Sequence, residues 1–513
     1  MKTSNKHVSF EKAPAFFEKL RIDGKIIVQC HGTFDLIHPG HIYHFEEAKA
    51  LGDVLVVTVT GEKYVNKGPG RPYFNDKLRE KNLSALECVD YVVVIPFPAA
   101  VEAIECVKPN IYCKGKEYMD RENDVTGNIN EDVATVERLG GEIRYVGSVV
   151  FSSTKILNQH FDNLHEDVKR FCCEVSKEVD GASLCRAVNE FSKLKVLLVG
   201  DIIFDKYSYV KVLGLTSKAS IISARFLSED LQTGGVLAVF RHLRQFTDNV
   251  TLISMSGVES WAKNIIDEYV PENCNSIISD GNFTTIVKQR FTLPPSSGNL
   301  MTKLFSVNVI DDKEVSPEII NKVLDRLKIE LPKHDIVIVT DFGHGLMQDK
   351  IREYIQKHAS FMALNCQTNS YNNGFNIINR QYKRADCFSL DATEISLSAG
   401  KRHMDYTSEL DNLRKELNAN YAWLTRGAIE TIAVMSNNLS CACPPFESEV
   451  IDTVGAGDAF FSVASLAAAS GMSNQQALFL GQLAGAQAVK IVGNTEPISK
   501  VKILKSIMSL TNF

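Results

Sequence analysis

Between Lys25 and Gly147 the chain switches regularly between two hydrophobic periods. Apolar runs KIIVQ, DVLVVTVT, DYVVVIPF and NIYCKG read as strands. They alternate with IYHFEEAKALG, NDKLREKNLSALECV and VEAIECV, whose apolar positions recur at helical spacing, and the series closes on ERLGGEIRYVG. Such alternation predicts an α/β fold, a parallel sheet with helices on both faces, whose ligands sit beyond the carboxyl ends of the strands. From residue 161 to 192 the strands stop, and FDNLHEDVKRFCCEVSKEVDGASLCRAVNEFSKL reads as a charged helical connection. A second strand-helix series opens at KVLLVGD and runs through VTLISMSG, HDIVIVTD and YAWLTRG to the helical VGAGDAFFSVASLAAASG. The expected organisation is a domain over residues 1–160, a linker over 161–192 and a second domain over 193–513.

Composition narrows the class. With 513 residues, 44% hydrophobic and 23% charged, the chain is long enough for two or three globular domains. A net charge of −6, from 56 basic and 62 acidic residues, provides no basic excess for nucleic acid or an anionic membrane. No apolar run reaches membrane-spanning length and MKTSNKHVSFEKAPAFF lacks a signal-peptide core, so a cytoplasmic location is expected. The twelve cysteines form no CxxC framework or zinc spacing and read as reduced, mostly buried thiols.

The chemistry concentrates first in HGTFDLIHPGH, residues 31–41. Strand KIIVQ leaves the sheet near Gly32, and Pro39 opens a helix that stops before Gly52. His38 and His41 then flank a helix N-terminus, whose free N–H groups and partial positive charge suit a phosphate chain. Gly40 leaves room for a nucleotide, and two imidazoles can donate to an α-phosphate as charge builds on it. Lys49, further along the helix, can add charge. A zinc site is the competing reading, but no third ligand stands at useful spacing. His44 reads equally as a surface residue.

GTFDLIHPGH resembles the HxGH signature of the cytidylyltransferase-like nucleotidyltransferases, and NDKLREKNLSAL, CKGKEY and FSSTKI resemble that family's later motifs in order over residues 25–160. The resemblance implies a Rossmann-like domain in which a nucleoside triphosphate, ATP or CTP, is attacked at its α-phosphate by a sugar or polyol phosphate. Pyrophosphate leaves, with Mg²⁺ and without a covalent intermediate. It implies His38 and His41 as catalytic, and His31, Gly32, Thr33, Phe34, Gly40, Lys49, Arg79, Lys114, Ser153 and Thr154 around the nucleotide. Arg79 lies on a charged helix that otherwise reads as a solvated face, whereas Lys114 follows a strand.

In DTVGAGDAFF, Gly455, Ala456 and Gly457 precede a long apolar helix and can form an anion hole, with Asp458 placed to take the proton of an acceptor hydroxyl. The stretch resembles the signature of the PfkB, or ribokinase-like, carbohydrate kinases. Further matches are Asp201 and Asp205 in VGDIIFDKY, Gly234 and Gly235 in TGG, Asp341 in TDFGHG, Glu394, and Thr425 and Gly427 in TRG. The resemblance implies ATP, Mg²⁺ near Glu394 rather than in a dedicated protein cluster, a small-molecule sugar substrate and a homo-oligomer, a dimer. Both domains together are similar to the bifunctional heptose kinase/adenylyltransferases, here in reversed order.

The second domain departs from the family pattern in four places. Ala238 stands where an asparagine holds sugar hydroxyls, His344 where heptose kinases often have lysine, Asp391-Ala-Thr-Glu394 replaces NxxE, and TRGAIET lacks a second glycine. The amide-rich NCQTNSYNNGFN, residues 365–376, reads equally as a reader of hydroxyls or as a polar surface loop. Two functions follow. One is a bifunctional kinase and nucleotidyltransferase; the other joins an active nucleotidyltransferase to a kinase-like domain that only binds a ligand or dimerises.

Overall fold

Strand β1 (Ile27–Gly32) buries its first four residues because it runs through the middle of a sheet. A computed structural model describes residues 6–65, 71–116, 128–147, 165–294, 301–310, 313–435 and 440–512. With β2 (Val54–Thr60), β3 (Tyr91–Ile95), β4 (Ile111–Gly115) and β5 (Glu142–Val146), β1 forms a sheet in the order β3-β2-β1-β4-β5. Every pairing in it is parallel. Alternate side chains serve opposite faces. Val28, Cys30, Leu55 and Val57 pack with Phe45 and Ala48 of helix Pro39–Lys49. Ile27, Val54, Val56 and Val93 pack with Phe17 of helix Ala13–Ile22 and Ala103 of helix Val101–Val107. The strand order reverses between β1 and β4, and such a switch point is where open sheets of this kind hold ligands.

The chain divides into two compact units, Met1–Arg186 with Val501–Phe513, and Ala187–Lys500. The sequence had suggested a separate linker and a second domain running to residue 513. Instead, the apolar face of helix Lys500–Leu510 groups with the first unit, where Cys185 Sγ donates to Leu504 O at 3.5 Å and Ser176 Oγ to Thr511 O at 3.2 Å.

The second unit holds β6 (Val196–Gly200), β7 (Ile202–Leu215), β8 (Ile222–Gly235), β9 (Val250–Ser256), β10 (Asn275–Ser279), β11 (Ile286–Thr292), β12 (Lys303–Val309), β13 (Ile336–Asp341), β14 (Met362–Cys366), β15 (Cys387–Asp391), β16 (Tyr421–Thr425), β17 (Thr431–Met435) and β18 (Ser440–Cys443). Nine form one sheet, β10-β9-β6-β13-β14-β15-β16-β17-β18, parallel except for the last two. Its switch point lies between β6 and β13. A second sheet, β12-β11-β7-β8, was not foreseen from the pattern. Its strands leave Leu213, Leu215, Ile222, Phe226 and Phe305 exposed, so burial does not mark them as strand residues. No helix among the described residues is long and apolar enough to cross a membrane.

Candidate active sites

In the first unit the histidines meet at the head of helix Pro39–Lys49. His38 caps that helix: its Nδ1 accepts from His41 N at 3.4 Å. An accepting Nδ1 places the proton of a neutral imidazole on Nε2, the donor a phosphate oxygen needs. The two rings stack at 3.8 Å and 16°. Phe34 sits edge-on to His41 at 5.3 Å, and its φ of 44° is a conformation side chains other than glycine rarely adopt. The loop between strand and helix is thereby folded under the imidazole pair.

That loop is held from beneath. Arg79, fully buried on helix Asp76–Ser84, donates from Nη1 to Thr33 O at 2.7 Å and from Nη2 to Asp76 Oδ1 at 2.6 Å. The charged helix is therefore not a solvated face at this position, and Arg79 acts on the loop backbone. Asp35, which the sequence reading passed over, accepts from Tyr73 N at 2.7 Å and Phe74 N at 2.8 Å. Only its place inside GTFD could have signalled this role.

The remaining residues divide. His31 has Thr58 Oγ1 3.0 Å from Nδ1 and Thr60 Oγ1 3.3 Å from Nε2. Burial, reinforced by the charges of Lys114 and Lys505, pushes its pKa down to about 3, so the ring is neutral. Lys114 stands beside His31 across the β1–β4 switch, where Cys30 pairs with Cys113, and forms an ion pair with Asp132 at 2.8 Å. Lys49 is the exception. It lies at the opposite end of its helix, about 15 Å of helix length from His38, bonded to Asp53 O and Asp90 Oδ2, each at 2.6 Å. A residue at the last helical position cannot serve a site at the first. Ser153 and Thr154 lie outside the described residues.

In the second unit, Gly455 caps helix Ala456–Ala469 with φ 81°, so Gly457 and Asp458 fall in its first turn, where N–H groups have no intrahelical acceptor. Ala456 N is turned to Thr453 O at 3.4 Å. Asp458 Oδ1 accepts from Gln367 Nε2 at 2.8 Å. Burial raises the Asp458 pKa to about 6; the Gln367 bond opposes this, the charge of Asp205 adds to it, and that of Lys288 opposes it. Lys288, on β11, lies in the field of Asp205, Asp201 and Asp458 together, and no motif had singled it out.

Asp205 is ion-paired with Arg290 and accepts from Asn494 Nδ2 at 3.3 Å. A Cβ on Gly234 would overlap its carboxylate, which explains that glycine; Gly235 has φ 54°. Asp201 accepts from His344 N at 3.3 Å and Leu346 N at 3.2 Å. Burial, then repulsion from Asp341, raises its pKa to about 7. Asp341 ends β13 as expected but is fully committed: it accepts from Tyr382 OH at 2.7 Å, Gly343 N at 2.9 Å and Asn376 Nδ2 at 3.1 Å, and pairs with Arg352 at 3.3 Å. Its carboxylate oxygens are thus bonded to the protein on every side these partners occupy.

Glu394 Oε1 accepts from Thr368 N at 2.9 Å and Oε2 from Asp391 N at 2.8 Å, completing a capping box. Burial, then the charges of Asp391 and Asp458, raises its pKa to about 8. Both oxygens are thus occupied, and no group of three or more His, Cys, Asp or Glu among the described residues could hold a metal. A Mg²⁺ ion here fits as one carried by nucleotide phosphates and water rather than by a protein cage. Thr425 donates to Leu390 O at 3.2 Å, and Gly427 has φ 57° in the following turn. The amides of 365–376 are mostly spent on the protein: Asn369 and Asn372 each donate to Phe342 O at 2.8 Å, and Asn376 to Asp341. Ala238 is buried within helix Val236–Leu243.

Two family models match the chain. Residues 30–161 match the cytidylyltransferase-like family and residues 378–501 the pfkB family of carbohydrate kinases. The bifunctional protein HldE of Desulfatibacillum aliphaticivorans is 41% identical over 143 residues, 27% of this chain and 28% of that protein. HldE of Methylococcus capsulatus is 39% identical over 137 residues, 26% of this chain and 28% of that protein. The chain thus spans little more than a quarter of the length of the curated relatives it matches. A ribokinase from Arabidopsis thaliana, solved with ribose and ATP, aligns at 16% identity and a TM-score of 0.47 over 62% of this chain and 99% of its own. The chain therefore joins a domain similar to the cytidylyltransferase-like family to one similar to the pfkB kinases.

Proposed function

We propose that the chain is a bifunctional enzyme of nucleotide-sugar biosynthesis. In the first unit, a sugar or polyol phosphate attacks the α-phosphate of ATP or CTP, an AMP or CMP group is transferred and pyrophosphate leaves. His38 and His41 donate to the α-phosphate oxygens, where negative charge grows in the transition state. In the second unit, Asp458 takes the proton of a sugar or sugar phosphate hydroxyl as the γ-phosphoryl of ATP moves to it and ADP leaves. When bound with the nucleotide phosphates and water, near Glu394 in the second unit, Mg²⁺ would supply neutralisation of phosphate charge. The carrying observation is the stacked His38–His41 pair on a helix N-terminus at the β1–β4 switch point, in a chain that also places Asp458 in the first turn of a second such helix. The exposed apolar side chains of β7, β8 and β12 support a homodimer, and the absence of a basic excess supports small-molecule rather than nucleic-acid partners.

The test is pyrophosphate release with each nucleoside triphosphate against a panel of sugar 1-phosphates and polyol phosphates, heptose 1-phosphate included. His41→Ala is expected to lower that rate by about 100-fold or more, the scale of losing one transition-state donor, and to leave ATP-dependent sugar phosphorylation unchanged. Equal pyrophosphate release by wild type and variant would sink the assignment. The apolar Ala238 favours a second reading, a kinase-like unit that only binds; phosphoryl transfer that Asp458→Asn abolishes excludes it.

A further inference from the structure

Asp458 is not held by its own helix alone. Asn365, at the end of β14, donates from Nδ2 to Ser389 O at 3.1 Å, and a carbonyl can only accept. This fixes the direction of the Asn365 amide, so its Oδ1 faces Gln367 and receives Nε2–H at 2.7 Å. The other hydrogen of the same NH2 group goes to Asp458 Oδ1 at 2.8 Å. The backbone of Gln367 is pinned on both sides, its N–H to Asp341 O at 2.8 Å and its carbonyl by Asn376 Nδ2 at 3.2 Å. The buried Asp341–Arg352–Tyr382 cluster thus anchors, through Asn376, the residue that grips Asp458.

We propose that Gln367 is the positioning residue of the kinase general base: its amide fixes Asp458 through Oδ1 and leaves Oδ2 to take the acceptor's proton. This rests on the kinase reading above. The other groups facing Asp458 are Asp205 from β7, Lys288 from β11 and Glu394 from helix Ala392–Ala399. Against them, the Gln367 bond is a neutral donor that favours the ionised carboxylate.

The experiment is the pH dependence of kinase kcat and kcat/KM for wild type, Gln367→Leu and Gln367→Glu, with Asp458→Asn as control and pyrophosphate release as the check on an intact chain. Losing the donor is expected to move the acidic limb upward by about one pH unit in Gln367→Leu. The near-isosteric Gln367→Glu, which sets a second carboxylate beside the first, is expected to move it further, with the acceptor KM within about twofold of wild type. Limbs that coincide with wild type in both variants overturn the inference, however slow the variants are, because a purely structural role scales the rate without moving its titration. A wild type without kinase activity, or an active Asp458→Asn, overturns the kinase reading and takes this inference with it; inactive Asp458→Asn with unmoved limbs overturns the inference alone.

Discussion

As the proposed base, Asp458 would act only when ionised, and burial raises its carboxyl pKa to about 6, above the ordinary range. The sign is direct: the working form exists above that value. Kinase kcat/KM, which reports the free enzyme, is therefore expected to be flat above about pH 7 and to fall roughly tenfold per unit below about pH 6. An acidic limb near pH 4 in the wild-type profile would show that Asp458 is not the titrating base. The same scale shows what the sequence can and cannot carry. His38, His41 and Asp458 are legible because a helix N-terminus is local, written in three or four neighbouring residues. Gln367 stands 91 residues from Asp458 and Asp35 reaches 38 and 39 residues to Tyr73 and Phe74, contacts that only the closed sheet creates.

At the scale of elements, the strand-to-helix turn after β1 owes its shape to a neighbour. Helix Asp76–Ser84 sends Arg79 under the turn, where the guanidinium is desolvated and bonded to Thr33 O and Asp76. Removing it takes the donor from the Thr33 carbonyl and the cation from Asp76, which keeps its bond from Glu62 N at 2.8 Å; Arg79→Met is expected to cost about 3 kcal/mol of first-unit stability and to lower pyrophosphate release at least tenfold. Calorimetric unfolding and the release assay check both. Lys49→Ala provides the contrast: its pair with Asp90 is partly exposed, and its helix end is remote from the histidines. Stability should change by less than about 1 kcal/mol, with unaltered release. The alternating pattern predicted both helices, and the family resemblance set Lys49 and Arg79 alike around the nucleotide, yet Lys49 ends its helix while Arg79 is enclosed beneath the loop. Sequence spacing records which face of a helix is apolar, not which end meets a ligand or which charge is enclosed. In the other unit, Gly455 caps its helix at φ 81°, and a Cβ there would overlap Asn494 Oδ1. Gly455→Ala is accordingly expected to depress phosphoryl transfer at least tenfold while pyrophosphate release persists, a split that paired assays on one preparation resolve.

For the whole molecule, the pattern of alternating elements located two α/β bodies but not the path of the chain's end. Helix Lys500–Leu510 follows the second body in sequence and belongs to the first in contact, with Ile503, Leu504, Ile507 and Leu510 all buried. Nothing in an amphipathic stretch names the body whose groove receives it. The grouping has a thermodynamic consequence. Each buried aliphatic side chain contributes about 1.5–3 kcal/mol by leaving water, so the helix is a substantial share of whatever stability the first unit has. Ending the chain after Lys500 is expected to lower the unfolding temperature of the first unit and its pyrophosphate release at 37 °C, while phosphoryl transfer by residues 187–500 continues. Simultaneous assay of both activities on the truncated chain, with limited proteolysis to show which unit opens, checks the assignment; a loss confined to the kinase would place the helix with the second unit instead.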